Sequence, residues 1–396
     1  MNREFKRQLL MKRIVIGLFA AMALLAATPA YGAKDYWKMS ISKLEKLAAK
    51  DDVKAQYCLG YNYANGKGGA VQDFSRAAYW YGKAAEGGNG AAQFYLGVYY
   101  MQGKGVEQNP QECIRLLQKC VDNTNVSSDL QFQARINLAN YYGAGKYGLE
   151  KNIDKAIDLL ENARLAYFST DNSEMDLYGT RDDMLGEMYS RKGEVSLEAS
   201  DYKKSSESYA KAADDWFRYA GYSTDVKKNR ERIGNSWLKA GNALFFYNTF
   251  SGNDDYSKVF RYWENSAAQW NWQAYYNLGE LYYTGIGNIP ADESRGISYL
   301  DKIAASNPRA AYFLGLHYYA KKVDFAKAFD YLNKVLKNPN LTDKDVRADV
   351  LQKLSAMYRF GRGTSIDETK ADALSAEAAK LGNPDAVRIQ QWLNQR

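Results

Sequence analysis

The sequence has few of the residues on which most enzymes and metal sites depend. It contains one histidine, His317, and three cysteines among 396 residues. A histidine serves as a general base only where partner groups lie beside it, and these histidine and cysteine residues share no zinc-ligand spacing. We therefore expect His317 to lie at a helix surface or in a groove, and we predict no enzyme activity, no metal site and no cofactor.

The cysteine count also limits disulfide bonding. An odd number of cysteines leaves at least one unpaired within the chain. Cys113 and Cys120 are seven residues apart on one predicted helix, roughly 10.5 Å along its axis, which is too far for a bridge. Both occupy positions where other parts of the chain carry Ala, so we expect small buried residues; whether any cysteine pairs, Cys58 included, stays open.

Three other kinds of functional site find no support in the sequence. The Gly-x-Gly segments follow predicted helices and lack the strand and the GK[ST] of a phosphate-binding loop. No basic tract or stacking platform indicates nucleic-acid binding. Acidic pairs are similar to the two carboxylates of a glycosidase, but we expect them to be helix caps and solvated loop residues. These pairs are Asp182-Asp183, Asp214-Asp215 and Asp254-Asp255.

The longest apolar run covers residues 14–27. Basic residues precede it and the small residues Ala30 and Gly32 follow, a pattern typical of a secretory signal peptide. At 14 residues, the run is short for a membrane span. We predict a signal peptide over residues 1–32, export to the periplasm or the medium, and no transmembrane span after cleavage. The start is either Met1 or Met11, and removal of residues 1–32 lowers the formal net charge from +7 to +3.

A Leu-Gly-x-x-Tyr motif, or a close variant, recurs eight times along the chain. Successive copies are 36 to 55 residues apart. A period in this range is typical of stacked supersecondary units, each unable to bury its apolar face alone. The first two residues of the copies are Leu59-Gly60, Leu96-Gly97, Leu138-Ala139, Leu185-Gly186, Ala240-Gly241, Leu278-Gly279, Leu314-Gly315 and Leu354-Ser355.

Each copy predicts a pair of helices. Ala, Leu and Tyr at four-residue spacing, as in Ala55, Leu59 and Tyr63, line one face of a first helix. The Gly beside the Leu costs about 1 kcal/mol of helix propensity, so we expect it to let the second helix approach closely. A Gly-x-Gly turn such as 66–68 ends the first helix, and the second helix follows, as in 76–85.

Together these two halves resemble the Sel-one-like repeat family, a relative of the tetratricopeptide repeats. The family pattern is Ala-x3-Leu-Gly-x2-Tyr-x2-Gly-x-Gly, then Lys-Ala-x2-Trp-Tyr-x-Lys-Ala-Ala-x2-Gly, and residues 55–87 match it almost throughout. The resemblance covers residues 53–395 and implies an all-α fold, a right-handed superhelical solenoid of about eight helix-turn-helix repeats. Residues 33–52 are expected to form an N-terminal capping helix.

The middle of the chain departs from this pattern. Divergent, longer repeats occupy residues 165–270, with extra residues near 165–178, 190–199 and 220–229. Insertions in a solenoid map to loops on one face, often the binding face. We therefore expect binding loops in this part of the chain.

Recognition of a partner is the function that this sequence favours. In a tetratricopeptide-like fold the first helices would line a concave groove, and Tyr suits an interface because it has a large apolar body and a polar tip. The same rings could instead serve packing between repeats. The residues predicted to bind a partner are Tyr57, Tyr61, Phe94, Asn140, Asn242, Phe245, Tyr276, Tyr283, Tyr312 and Tyr319.

The resemblance implies a non-enzymatic protein–protein interaction scaffold or adaptor in the bacterial cell envelope. Its partner would be another protein or a peptide, bound by the groove and the middle loops. Two alternatives remain open: a peptidoglycan- or carbohydrate-binding protein or hydrolase, and a secretion-associated chaperone.

Overall fold

The computed structural model describes residues 35–164, 173–220 and 225–393, which form 18 α-helices and no β-strand. The helices are α1 (Ile41–Ala48), α2 (Val53–Asn65), α3 (Phe74–Glu86), α4 (Gly90–Gln102), α5 (Pro110–Asp122), α6 (Ser128–Ala144), α7 (Ile153–Glu161), α8 (Ser173–Ser196), α9 (Ala199–Ala220), α10 (Val226–Ser251), α11 (Ser257–Ala268), α12 (Trp272–Thr284), α13 (Glu293–Asp301), α14 (Pro308–Leu316), α15 (Phe325–Lys337), α16 (Lys344–Phe360), α17 (Glu368–Lys380) and α18 (Pro384–Leu393). The predicted signal peptide lies outside the described residues.

The helices pack as two compact units. The first unit contains α1–α6 and the second contains α7–α18. Within each unit, consecutive helices pack against each other as helical hairpins, such as α2 with α3 and α16 with α17. The all-α helical-hairpin repeat fold predicted from the sequence is therefore confirmed.

Side-chain caps and glycines set the ends of the helices. Asp52 Oδ1 accepts the backbone N–H groups of Lys54 and Ala55 at 3.1 and 3.0 Å, which satisfies donors that have no partner inside α2. Gly66 ends α2 with φ at 62°, a left-handed conformation that glycine adopts at little cost. The predicted Gly-x-Gly turn after the first helix is confirmed at this position.

The Leu-Gly motif marks the point of closest approach between the two helices of a hairpin. A Cβ atom added to Gly60 would lie 2.5 Å from Cδ1 of Tyr81, and one added to Gly241 would lie 2.5 Å from the Trp263 ring. Gly315 faces the Leu332 side chain in the same way, at 2.8 Å. The motif glycine therefore makes room for a large side chain of the second helix, as expected.

Hydrogen bonds and cation–π contacts also join successive hairpins. A tyrosine of the first helix donates to a glutamate of the preceding helix, and the guanidinium of an arginine on the following helix lies over the tyrosine ring. The tyrosine-to-carboxylate distances are 3.1 and 2.9 Å, and the guanidinium-to-ring distances are 5.4 and 4.0 Å. The two triads are Glu45–Tyr63–Arg76 and Glu264–Tyr282–Arg295.

The three cysteines, Cys58, Cys113 and Cys120, are buried and none forms a disulfide. Burial raises the pKa of each thiol to about 12, so the reactive thiolate is scarce at neutral pH. The prediction of small buried residues is confirmed.

The divergent middle of the chain is built from three long helices. α8 has 24 residues, α9 has 22 and α10 has 26. The expectation of a loop at 190–199 is wrong, because most of these residues extend α8 and only a two-residue turn separates it from α9. Gly193 lets the extended part of α8 pack closely against α9, since a Cβ atom at this position would lie only 3.0 Å from the Tyr202 ring of α9. Residues 165–172 and 221–224, within the other two expected loops, lie outside the described residues.

Candidate protein-binding surface

Side-chain contacts join four first helices of the second unit in succession. Asn242 of α10 accepts a hydrogen bond from Asn277 of α12 at 3.3 Å. The Tyr283 ring of α12 meets the Phe313 ring of α14 edge-on, with centroids 4.9 Å apart. Tyr312 of α14 bonds to α16, as described below. We call the side chains along this line the first-helix surface: Asn242, Phe245, Tyr276, Tyr283, Tyr312, Tyr319, Asp349 and Lys353.

Two tyrosines and an ion pair form a connected cluster on this surface. The Tyr312 hydroxyl donates to Asp349 Oδ2 at 2.8 Å, and Lys353 Nζ donates to Asp349 Oδ1 at 2.8 Å. The same Nζ lies 5.7 Å from the centre of the Tyr319 ring. The side chains of Lys353 and Asp349 keep 25% and 30% of their surface exposed. These polar groups are thus fixed in position and still accessible to a partner.

The remaining predicted residues of the second unit are also half-buried. Tyr276 and Tyr283 are two turns apart on α12, so they share one face of that helix. Burial raises the pKa of Tyr276, and its ring packs against the core of the unit. Phe245 packs against Trp263 with ring centroids 5.9 Å apart, and Asn242 accepts a hydrogen bond from Trp263 Nε1 at 3.0 Å. These side chains support the hairpins and show part of their surface to solvent.

The predicted residues of the first unit differ among themselves in exposure. Tyr57 and Tyr61 are half-buried on α2, and the Trp37 ring lies against both. Asn140 is half-buried on α6. Phe94 has no exposed surface, because it lies on the inner face of α4. Its ring cannot contact a partner in this conformation, so we assign Phe94 to the core and omit it from the binding residues.

His317 is buried, so the expectation of a helix-surface or groove position is wrong. It opens a π-helical turn, His317–Lys321, and only 5% of its surface is exposed. Nδ1 lies 2.9 Å from the Tyr283 hydroxyl, and Nε2 lies 3.9 Å from a Glu293 carboxylate oxygen. Burial lowers the pKa of His317. The lysines at 321 and 322 hold the pKa of Glu293 at about 2, so a fixed negative charge faces the ring.

Two carboxyl groups expected at caps or in loops are buried instead. Asp182 of α8 and Asp215 of α9 are 2% and 8% exposed. Asp182 pairs with Arg181 at 2.6 Å and with Lys211 at 2.9 Å. Burial, followed by the neighbouring Asp182 charge, raises the pKa of Asp215 to about 6. A polysaccharide has no access to these carboxyls in this conformation, so they do not form the paired acids of a glycosidase cleft.

Two other observations concern the described residues alone. No group of three or more His, Cys, Asp or Glu side chains in this part of the chain could hold a metal ion. No helix among these residues has both the length and the apolar character needed to cross a membrane.

Helical hairpins stacked on one another, with accessible tyrosines along successive first helices, define a repeat protein of the tetratricopeptide-like class. The Sel1 repeat family model matches residues 53–89, 90–123, 133–166, 272–307, 308–335 and 348–383, which together make up just over half of the chain. The chain belongs to the Sel1 repeat family. The resemblance drawn from the Leu-Gly motifs is thereby confirmed.

Several solved structures are also similar to the chain. A Sel1 repeat protein from Oxalobacter formigenes is 20% identical, with 95% of this chain and 99% of that chain covered and a TM-score of 0.47. A protective antigen of uropathogenic Escherichia coli strains, with an SLR fold, is 22% identical, with 86% and 79% covered and a TM-score of 0.34. The C-terminal part of a TPR repeat-containing protein from Cytophaga hutchinsonii is 14% identical, with 78% and 93% covered and a TM-score of 0.33. At these TM-scores the similarities add nothing to the family assignment.

Proposed function

We propose that this protein is a non-enzymatic interaction scaffold of the bacterial cell envelope, and that it binds a partner protein through the first-helix surface. Sel1 repeat proteins generally act as protein-interaction scaffolds. The observation that carries the proposal is the cluster of Tyr312, Asp349, Lys353 and Tyr319. The envelope location rests on the predicted signal peptide.

The cluster has the properties of a binding hot spot. Tyrosine presents a large, rigid contact area with a polar tip, and it loses little conformational freedom on binding. The internal bonds of Asp349 and Lys353 hold both charges in place before a partner arrives, which lowers the entropy cost of binding. Each oxygen of the Asp349 carboxylate accepts one hydrogen bond within the cluster and retains a lone pair to which a peptide N–H could donate while a side chain packs on the tyrosine rings. The partner is therefore an extended peptide segment or a helix with apolar side chains and polar backbone or side-chain donors.

The chain offers a matched pair of lysines with which to test this surface. Lys353 and Lys334 each pair with an aspartate four residues earlier, at 2.8 and 2.7 Å. Each also lies over a tyrosine ring, at 5.7 and 4.5 Å from its centre. Lys353 is on a first helix, α16, and Lys334 is on a second helix, α15. Lys353→Glu and Lys334→Glu therefore make the same charge change in similar settings on different faces of the repeats.

The test is affinity capture from cell envelopes with tagged wild-type, Lys353→Glu, Lys334→Glu and Tyr276→Ala/Tyr312→Ala chains. We expect one protein to be captured by the wild-type and Lys334→Glu chains and lost, by tenfold or more, with the other two. Direct titration with the purified partner must reproduce this order, and circular dichroism must show that every chain is folded.

Three outcomes would contradict the proposal. Equal capture by the two lysine variants would show that the first-helix surface is not the binding surface. Broad capture of unfolded exported proteins would indicate a chaperone. Release of product from cell wall would indicate a hydrolase.

A further inference from the structure

The residues just before α1 lie against the first hairpin. Tyr36–Lys38 form one 3-10 turn, and the Trp37 ring meets two tyrosines of α2 edge-on. Its centroid lies 6.0 Å from that of Tyr57 and 4.9 Å from that of Tyr61, with interplanar angles of 86° and 83°. Edge-to-face pairs in this distance range are favourable. In this hairpin, therefore, a tryptophan of the chain itself covers the two side chains predicted to bind a partner.

A hydrogen bond anchors the turn that carries Trp37. The Tyr36 hydroxyl donates to Asp52 Oδ2 at 2.9 Å. The other oxygen of Asp52 caps α2 by accepting from the N–H groups of Lys54 and Ala55. One carboxylate thus caps α2 and also anchors the turn at 36–38 beside it. The hydrogen bond to Asp52 raises the pKa of Tyr36, as expected for a phenol that donates to a carboxylate.

The rings under Trp37 continue as a series of aromatic contacts toward the next hairpin. Tyr57 stacks on Tyr95 of α4, with centroids 6.5 Å apart and an interplanar angle of 23°. Tyr95 in turn stacks on Tyr81 of α3 at 5.7 Å. Trp37 is therefore the outermost member of a series of aromatic rings that runs between two first helices. An aromatic ring that replaced Trp37 would join the same series.

The hold on Trp37 is local. The ring is half-buried, and besides its own contacts with α2 it is positioned by the Tyr36–Asp52 hydrogen bond and by the packing of Tyr36 and Met39 on the first hairpin. Asp35 and Lys38, at the two ends of this turn, form an exposed ion pair at 2.7 Å, and exposed pairs contribute little. The contact persists because tethering gives Trp37 a high effective concentration at α2. A partner that presents a similar ring with additional contacts can displace it.

We propose that the α2 face formed by Tyr57 and Tyr61 is a binding site for an aromatic side chain, and that Trp37 fills it in cis until a partner peptide presenting a tryptophan or similar ring takes its place. This inference rests on the proposed scaffold function, because it names the partner chemistry for the first hairpin. It makes the turn at 35–39 a tethered competitor of the partner. Removal of the turn should therefore increase binding at this site.

The chain itself provides the probe for this test. A labelled peptide with the sequence of residues 35–40, Asp-Tyr-Trp-Lys-Met-Ser, is titrated by fluorescence anisotropy into the full chain. The vacated variant, Tyr36→Ala/Trp37→Ala, should bind this peptide at least tenfold more tightly than the wild type, in which Trp37 competes. A peptide with Ala in place of Trp should not bind. Circular dichroism should show the same helix content in the variant and the wild type, because the turn lies outside the helices, and the melting temperature of the variant should be slightly lower, because the contacts of Tyr36 and Trp37 with α2 are lost.

Two further substitutions in the vacated chain locate the site. Tyr61→Leu removes one wall of the site and should abolish peptide binding. Tyr79→Ala is the matched control, because Tyr79 is an exposed aromatic residue on α3 of the same hairpin, and it should leave binding unchanged. The inference is overturned if the vacated chain fails to bind at millimolar peptide, if the wild type binds equally well, or if Tyr61→Leu still binds. Since the capture experiment probes α12, α14 and α16 of the second unit, it can succeed where this one fails, and the reverse also holds.

Discussion

Gly60→Ala should destabilise the first hairpin although alanine is the better helix former. The added Cβ would lie 2.5 Å from Cδ1 of Tyr81, whereas ordinary contacts begin near 3.4 Å, so the ring must move by almost 1 Å. Tyr81 is only 2% exposed and stacks closely on Tyr95, which leaves little room for that movement. Overpacking of this kind costs about 1–3 kcal/mol, against about 1 kcal/mol gained in helix propensity. We expect the difference to be a net loss of up to about 2 kcal/mol.

Gly82→Ala is the matched control within the same hairpin. Gly82 lies in α3, and nothing stands within 4 Å of an added Cβ. The higher helix propensity of alanine should therefore act without an overpacking cost and stabilise the chain by up to about 1 kcal/mol. The assay is urea unfolding followed by circular dichroism and by tryptophan fluorescence, because a repeat protein can unfold in more than one step. The quantity compared is the free energy of unfolding of the transition that includes the first hairpin.

A double-mutant cycle identifies Tyr81 as the cause. Tyr81→Ala removes the ring, and Gly60→Ala in that background should be neutral or stabilising, which gives a coupling energy of about 1–3 kcal/mol. If Gly60→Ala is as stable as Gly82→Ala, or if the coupling is zero, the reasoning about the Leu-Gly motif is refuted.

Three other predictions concern buried titratable groups. Asp215→Asn should stabilise the chain at pH 7 by up to about 3 kcal/mol, since the pKa of Asp215 is raised to about 6 in the folded chain. The cost to stability of ionising Asp215 accumulates between about pH 4 and 6. Thermal melts near pH 4 should therefore show no difference between the variant and the wild type. His317 has a lowered pKa, so below about pH 6.5 the unfolded chain takes up a proton first; His317→Gln should remove that part of the acid loss of stability. A thiol reagent should label no cysteine in the native chain and three after denaturation, because all three are buried; labelling as fast as a free thiol would contradict this burial.

The hairpins could be predicted from the sequence because their packing is encoded in residue size at fixed spacing. Gly60 and Tyr81 are far apart in the sequence but occupy set places in the motif, so the contact between them follows from the repeat. The extra residues at 190–199 were recognised by the same spacing. Spacing alone, however, does not tell whether an insertion forms a loop or lengthens two helices.

Other features could not be read from the repeat. Asp182 and Asp215 look like surface acids because charged residues surround them in the sequence, and only the packing of α8 against α9 buries them. His317 is buried because the π-helical turn places it beneath Tyr283 and Glu293. Trp37 lies before the first motif, so the pattern offered no position for it. The Glu–Tyr–Arg triads did carry a signal, since both copies have spacings of 18 and 13 residues.

Those triads decide where the chain can be divided into fragments. The obvious cut, between the end of one hairpin and the start of the next, would separate Tyr282 and Arg295 from Glu264. A fragment that starts with α11 would keep all three residues together. Its first helix would carry the Glu264 carboxylate, and the Arg295 guanidinium would keep its partner. The arrangement around α2 and α3 already has this form, since α1, the first α-helix of the described residues, carries Glu45. In this protein the natural piece to excise is thus a hairpin with the helix before it, a three-helix segment offset from the repeat seen in the sequence.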